Sequence, residues 1–212
     1  MKEYHSECTK IEEKLNTLTH APGIIIGFVT LLLLTYKFLE NGIVSHLLSY
    51  ITYSLTFILL FIASTVYHHT ENGTNKLLMR RIDHSCIYIF MAGCYTPFVV
   101  INMDVSWKYY FLIFIWLIAL VGVIQKFKLK FNNAIFTVVP YLVFSYMCLL
   151  AKKELIDVLP QISFRFLLAG GICYTVGVIF YVFKKLKYNH SIWHIFVLGG
   201  AVLHFFAIYT AI

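Results

Sequence analysis

His190 and His194 stand four residues apart. In an α-helix that spacing stacks both imidazoles on one face, where they can grip a single ion. Ser64 and His68 repeat the spacing, and Asp83 followed by His84 brings a carboxylate into the same set of residue types. Two imidazoles from one helix and a third from another make a three-His site with a fourth position open for water. That donor set belongs to catalytic rather than closed structural zinc, and here its ligands would be His68, His190 and His194. Asp83 has the chemistry to orient a ligand or to hold water at the open position, as carboxylates around metal sites do. An H-x3-H pair alone is a weak signal. What strengthens it is the set of elements that must carry these residues.

Of 212 residues, 60% are hydrophobic and 13% charged, with a mean hydropathy of +0.78; a soluble domain carries about a quarter charged residues. The apolar residues arrive in long runs rather than in amphipathic stripes. About 20 such residues cross the hydrocarbon of a bilayer as a helix, and only helices and closed barrels satisfy their backbone groups there. These runs are too long and continuous for barrel strands. The sequence therefore predicts an all-α integral membrane protein, a bundle of seven transmembrane helices. They cover His20–Phe38, His46–His68, Ile82–Asn102, Tyr109–Gln125, Ala134–Ala151, Phe164–Phe183 and His190–Ala211. Residues 1–19 read as a cytoplasmic segment with the charge of no signal peptide, and residues 20–212 as one transmembrane domain without repeats.

Lys and Arg set the orientation. The N-terminal tail and the loops after the second, fourth and sixth helices hold three each, twelve of the 17 in the chain, against Lys37, Lys108, Lys152, Lys153 and Arg165 on the other side. Short cytoplasmic loops carry this excess, so the N-terminus is expected inside and the C-terminus outside a cell membrane, plasma or bacterial inner. The same loops account for the formal charge of +7 without any nucleic-acid partner. With this topology His68 and His69 close one helix, Asp83 and His84 open the next, and His190 and His194 open the last, all at the cytoplasmic side. Three helices distant in sequence thus bring His and Asp to one depth, where ionisable residues are costly and face the bundle interior.

Other polar residues have plainer roles. His46 and His69 suit a membrane interface, as do Trp107 and Tyr109. His204 lies about 15 Å along its helix from His194, at 1.5 Å per residue, too deep to join the cluster and suited to a helix-packing hydrogen bond. His84 follows Asp83 and is expected to point off its face. Ser64 alone would read as a helix contact or a bond to its own helix, and Pro97 as a kink in the third helix. The five cysteines, Cys8, Cys86, Cys94, Cys148 and Cys173, form no CxxC pair and read as small apolar residues.

The polar pattern resembles the hemolysin III branch of the progestin and adipoQ receptor family, related to adiponectin receptors and alkaline ceramidases. The matching segments run in family order. They are Glu12-Glu13 with Asn16, Thr19 and His20, then Ser64-Thr65-Val66-Tyr67-His68, then Asp83-His84-Ser85 leading to Ala92-Gly93-Cys94-Tyr95-Thr96-Pro97-Phe98. Last comes His190-Ser191-Ile192-Trp193-His194, running on to Gly199 and His204-Phe205. The resemblance implies a seven-helix fold with Zn²⁺ near the cytoplasmic face, held by His68, His190 and His194, with Asp83 holding water at the metal and Ser64 beside it. One departure is Ala21-Pro22-Gly23, where the family usually has a His-Gly-rich turn.

Three functions fit. The first is a zinc-dependent intramembrane hydrolase of lipid amides or esters, with Asp83 and Ser64 as its catalytic residues. The second is a non-catalytic membrane-homeostasis or signalling protein with structural zinc. The third is a lytic, pore-forming hemolysin. Membrane lipid is the expected substrate or ligand in the first two. A pore wants polar stripes along whole helices, which the fourth to sixth helices lack, so a pore would have to be an oligomer.

Overall fold

The computed structural model describes residues 10–71, 73–128 and 134–211. The tail through Thr9 with Cys8, the loop residues Lys130, Asn132 and Asn133, and also Asn72 and Ile212, lie outside the described residues. The described residues form seven α-helices: α1 (Lys10–Asn41), α2 (Val44–His69), α3 (Thr74–Pro97), α4 (Lys108–Lys128), α5 (Ala134–Ser145), α6 (Gln161–Val182) and α7 (Asn189–Tyr209). Six of them, all but α5, are long and apolar enough to cross a membrane.

Two helices start well before their apolar runs. α1 begins at Lys10 rather than His20, and α3 at Thr74 rather than Ile82. Hydropathy marks only where a helix meets lipid. The polar turns upstream are built of good helix formers, and Glu12 and Glu13 in the first turn of α1 complement its dipole. At Pro97, which has no N–H for the ladder, α3 passes into a π-type turn over Phe98–Asn102.

The predicted fifth helix is one path in two helix types. Its α-helical part spans about 18 Å. A 3₁₀ segment, Tyr146–Ala151, continues it by about 12 Å at 2 Å per residue. Tyr95 of α3 sits at the change. Its hydroxyl contacts the carbonyls of Phe144 at 2.9 Å and Ser145 at 2.8 Å and accepts the Cys148 N–H at 3.0 Å. Backbone groups that the altered ladder leaves over are thereby served inside an apolar bundle, where water cannot serve them.

α1 packs on α2 and α7, α2 on α3, α3 on α4, and α6 on α7, while α5 touches α3 and α6. α2 and α3 are central, with 61% and 72% of their spans buried, against 28% for α4 and 17% for α6. An aromatic core of Tyr53, Phe57, Phe61 and Phe90 fills the space between α2 and α3. The Tyr53 hydroxyl donates to the Ala201 carbonyl at 2.8 Å, tying α2 to α7. Small residues let the helices close up: a Cβ on Gly93 would collide with Thr56, and one on Gly200 would lie 2.6 Å from the Tyr174 ring. Large apolar side chains face outward instead, among them Ile25, Leu32 and Leu39 at 70% exposure. Water penalises such a surface and lipid does not. The chain is a multi-pass membrane protein.

Candidate metal centre

The last turn of α2 and the first turns of α7 bring three imidazoles together. α6 ends at Val182 and α7 starts at Asn189 after a short turn. Tyr188 closes that turn in the left-handed region, at φ 61°, which a non-glycine residue adopts only when its surroundings demand it. The Asn189 amide donates to the Phe180 carbonyl at 3.0 Å, serving one of the carbonyls that α6 leaves unpaired at its end. This staple sets His190 in the first turn of α7, and the helical repeat places His194 one turn further.

One ring nitrogen from each of His68, His190 and His194 lies within 4.8 Å of the others. Ring centroids are 4.5 Å apart for His190 and His194, 4.9 Å for His68 and His194, and 5.1 Å for His68 and His190. His68 and His194 are buried and His190 half-buried. The Nε2 atom of His68 is buried with no hydrogen-bond partner among the described residues. A buried polar atom left in that state costs about 1–3 kcal/mol. Three converging imidazoles, one with an orphaned nitrogen, are what a divalent cation of borderline softness takes as ligands. The donor set fits a metal, and the cluster could hold one.

The polar beginning of α1 lies against this cluster. His68 Nδ1 is 2.7 Å from Glu13 Oε2, while Glu13 Oε1 pairs with Lys76 Nζ at 3.0 Å. Lys76 also donates to the Tyr67 carbonyl at 2.8 Å. His194 Nδ1 is 3.1 Å from the Asn16 carbonyl oxygen and 3.1 Å from Thr19 Oγ1. The Ser191 hydroxyl donates to the Asn16 side-chain oxygen. His20 stacks on His194, with centroids 3.5 Å apart and planes at 18°.

Ser64, fully buried on α2, is joined to His20 Nδ1 at 2.7 Å. It stands beside the cluster, one residue removed from it. Asp83 is buried on α3 with Oδ2 3.4 Å from His84 Nδ1. His84 therefore does not point away from Asp83. Its Nδ1 also reaches the Arg80 carbonyl at 2.9 Å, because a histidine bonding back to its own preceding turn swings toward the carboxylate one residue earlier.

The other described histidines, His46, His69 and His204, stay apart from the cluster. His69 is exposed and His46 half-buried. His204 packs between α6 and α7, edge-on to Tyr174. Its ring also meets the Leu167 backbone of α6, in keeping with the helix-packing contact expected of it. Cys86, Cys94, Cys148 and Cys173 are free thiols.

Glu13, Asn16 and His20 carry no site role in the sequence reading. Their spacing of three and then four residues is one helical face, a signal that appears only once α1 is known to start before its apolar run.

The family model for "Haemolysin-III related" proteins matches residues 8–205. The chain is 36% identical over 199 residues to Hemolysin-3 of Bacillus cereus, covering 93% of this chain and 90% of that protein. It is 33% identical over 197 residues to the Hemolysin-3 homolog of Bacillus subtilis, covering 93% and 92%. It is also 29% identical over 213 residues to the human monocyte to macrophage differentiation factor, covering 95% and 84%. The match therefore takes in α1 with Glu13, both ends of the histidine cluster and the α3 carboxylate, and on that ground this chain belongs to the haemolysin-III related family.

Proposed function

We propose that the protein is a zinc-dependent intramembrane hydrolase of lipid amides or esters, with seven spans, its N-terminus in the cytoplasm and its metal centre within reach of the inner leaflet. One observation carries the reading: three buried or half-buried imidazoles converge at one end of a membrane bundle, with a buried carboxylate, Asp83, on the helix that packs against α2. The odd number of spans rests on α5 and its 3₁₀ continuation reaching a bilayer's thickness together. The orientation rests on the basic loops. Cysteine-accessibility labelling is expected to find the 126–130 loop cytoplasmic and the C-terminus outside; a cytoplasmic C-terminus would remove one span from the count.

His68, His190 and His194 would hold the ion. When bound, zinc supplies Lewis acidity toward a carbonyl and makes water more acidic. Asp83 takes the proton of the attacking water as general base and returns it to the leaving amine or alcohol. The acyl carbon gains the water oxygen, its bond to nitrogen or oxygen breaks, and a free fatty acid leaves. Ser64 donates a hydrogen bond to the oxyanion that develops on the carbonyl oxygen. For that role His20 Nδ1 donates to Ser64 Oγ, which leaves the hydroxyl hydrogen for the substrate. The acyl chain enters sideways between helices from the lipid.

Zinc as a structural staple is the second reading, favoured by the polar contacts that join α1, α2 and α7 around the cluster. A lytic pore has less support. α4 and α6 turn side chains such as Leu117, Leu120, Ile172 and Ile179 outward, and lipid rather than a water-filled channel accommodates them.

The deciding experiment is zinc-dependent acyl release from mixed ceramides, acyl esters and phospholipids by purified protein in lipid nanodiscs. Asp83→Asn keeps shape and hydrogen bonding while removing the base. It is expected to retain metal and fold and to lose roughly 10²–10⁴-fold in rate. Absence of zinc-dependent release by the native protein would leave the staple; undiminished release by Asp83→Asn would keep the hydrolase and remove Asp83 from its role.

A further inference from the structure

Glu13 and Asn16 lie on the polar first turns of α1, outside any metal cluster, yet each places an oxygen on the outer nitrogen of a cluster histidine. We infer that Glu13 is the positioning residue of the metal centre: with Lys76 as its anchor, it turns the His68 Nε2 lone pair toward the ion and thereby sets how tightly the metal is held. The inference rests on the metal reading above but not on any turnover.

The geometry leaves little freedom. A carboxylate or a carbonyl oxygen has no hydrogen to give, so a contact of 2.7 Å from Glu13 Oε2 to His68 Nδ1 puts the hydrogen on Nδ1. A neutral imidazole carries one N–H. The lone pair then resides on Nε2, the same atom that is buried without a partner. The Asn16 carbonyl makes the same demand of His194 Nδ1. One helical turn of α1 therefore fixes the tautomer of two of the three imidazoles, one from α2 and one from α7.

Glu13 is itself held. Lys76 Nζ lies 3.0 Å from its other oxygen, donates to the Tyr67 carbonyl at the end of α2, and sits 4.4 Å from the centre of the Tyr67 ring. An ion pair serving packing alone would need only Glu13 and Lys76. The second carboxylate oxygen is spent on the one imidazole whose inner nitrogen is orphaned. Carboxylates in this position behind a metal-bound histidine are worth about 10–100-fold in metal affinity.

The test is zinc affinity by chelator competition at one pH, on the purified full-length protein in nanodiscs, with thermal unfolding of the zinc-free form measured alongside. Glu13→Ala is expected to weaken zinc by about 10–100-fold. Glu13→Gln keeps an acceptor for Nδ1–H and is expected to fall between Glu13→Ala and the native protein. Lys76→Met removes the same ion pair but leaves Glu13 on His68, so its loss should be smaller than that of Glu13→Ala. With Co²⁺ in place of zinc, the visible absorption bands should shift in Glu13→Gln and not in Lys76→Met. Should Glu13→Ala fail to fold, Glu13→Gln against Lys76→Met makes the same comparison. Native affinity in both Glu13 variants, or equal losses in Glu13→Gln and Lys76→Met that track zinc-free stability, would overturn the inference and leave a packing clamp. A native protein that binds no zinc overturns it together with the metal reading. A native protein that binds zinc without releasing acyl chains overturns the hydrolase alone.

Discussion

His194 and His204 are the same residue type on the same helix, ten positions apart, and they sit in opposite surroundings. Around His194 the neighbours are polar and convergent: the Asn16 carbonyl, Thr19, and the rings of His20, His68 and His190. Around His204 they are the edge of Tyr174 and the backbone of α6 at Leu167 and Gly170. Both rings have buried nitrogens, so burial does not distinguish a ligand from a packing residue. The difference lies in whether other elements aim oxygens and imidazoles at the ring. At the His194 end α1 and α2 do so; at the His204 end α6 offers a space shaped for a flat ring.

That contrast can be broken from the His204 side. Gly170→Ala would put a Cβ 2.7 Å from His204 Nε2 and 3.2 Å from the Gly200 carbonyl oxygen. Overpacking of this kind costs about 1–3 kcal/mol. The expected outcome is a lower unfolding temperature in detergent with unchanged zinc content per folded molecule. Loss of zinc from the protein that stays folded would show that the two ends are coupled and the contrast false. His204→Ala should do less, because it removes a packing ring without forcing two helices apart; a modest drop in thermal stability is the expected reading from the same melting curve.

Hydropathy made the helices legible, and the charge of the loops made their shared depth legible. His68, His190 and His194 group in the sequence itself, since helix ends on one side of a membrane share one depth in a bundle. Glu13, Asn16 and His20 stand out in the sequence only as part of the family pattern, not as partners of the cluster, because hydropathy ends where lipid ends, while α1 continues through Lys10. The fifth helix was legible as an apolar run but not as a change of helix type, which depends on the Tyr95 hydroxyl reaching across from α3. His84 was misjudged from helical geometry alone: adjacent residues diverge by a hundred degrees in a regular helix, but its bond to the Arg80 carbonyl turns the ring back toward Asp83. In each case the hidden part depends on a side chain meeting another element, which periodicity along one strand of sequence does not record.

The central claim is that the polar end of the bundle is a metal centre, and metal content tests it most directly. Native protein, His194→Ala and His204→Ala, purified in the same zinc-containing buffer and exchanged free of unbound ion, would be measured by elemental analysis per mole of chain. The account predicts about one zinc per native chain, as a single three-His site requires, most of it lost in His194→Ala and all of it kept in His204→Ala. No zinc in the native protein, or equal loss in the two variants, would contradict it.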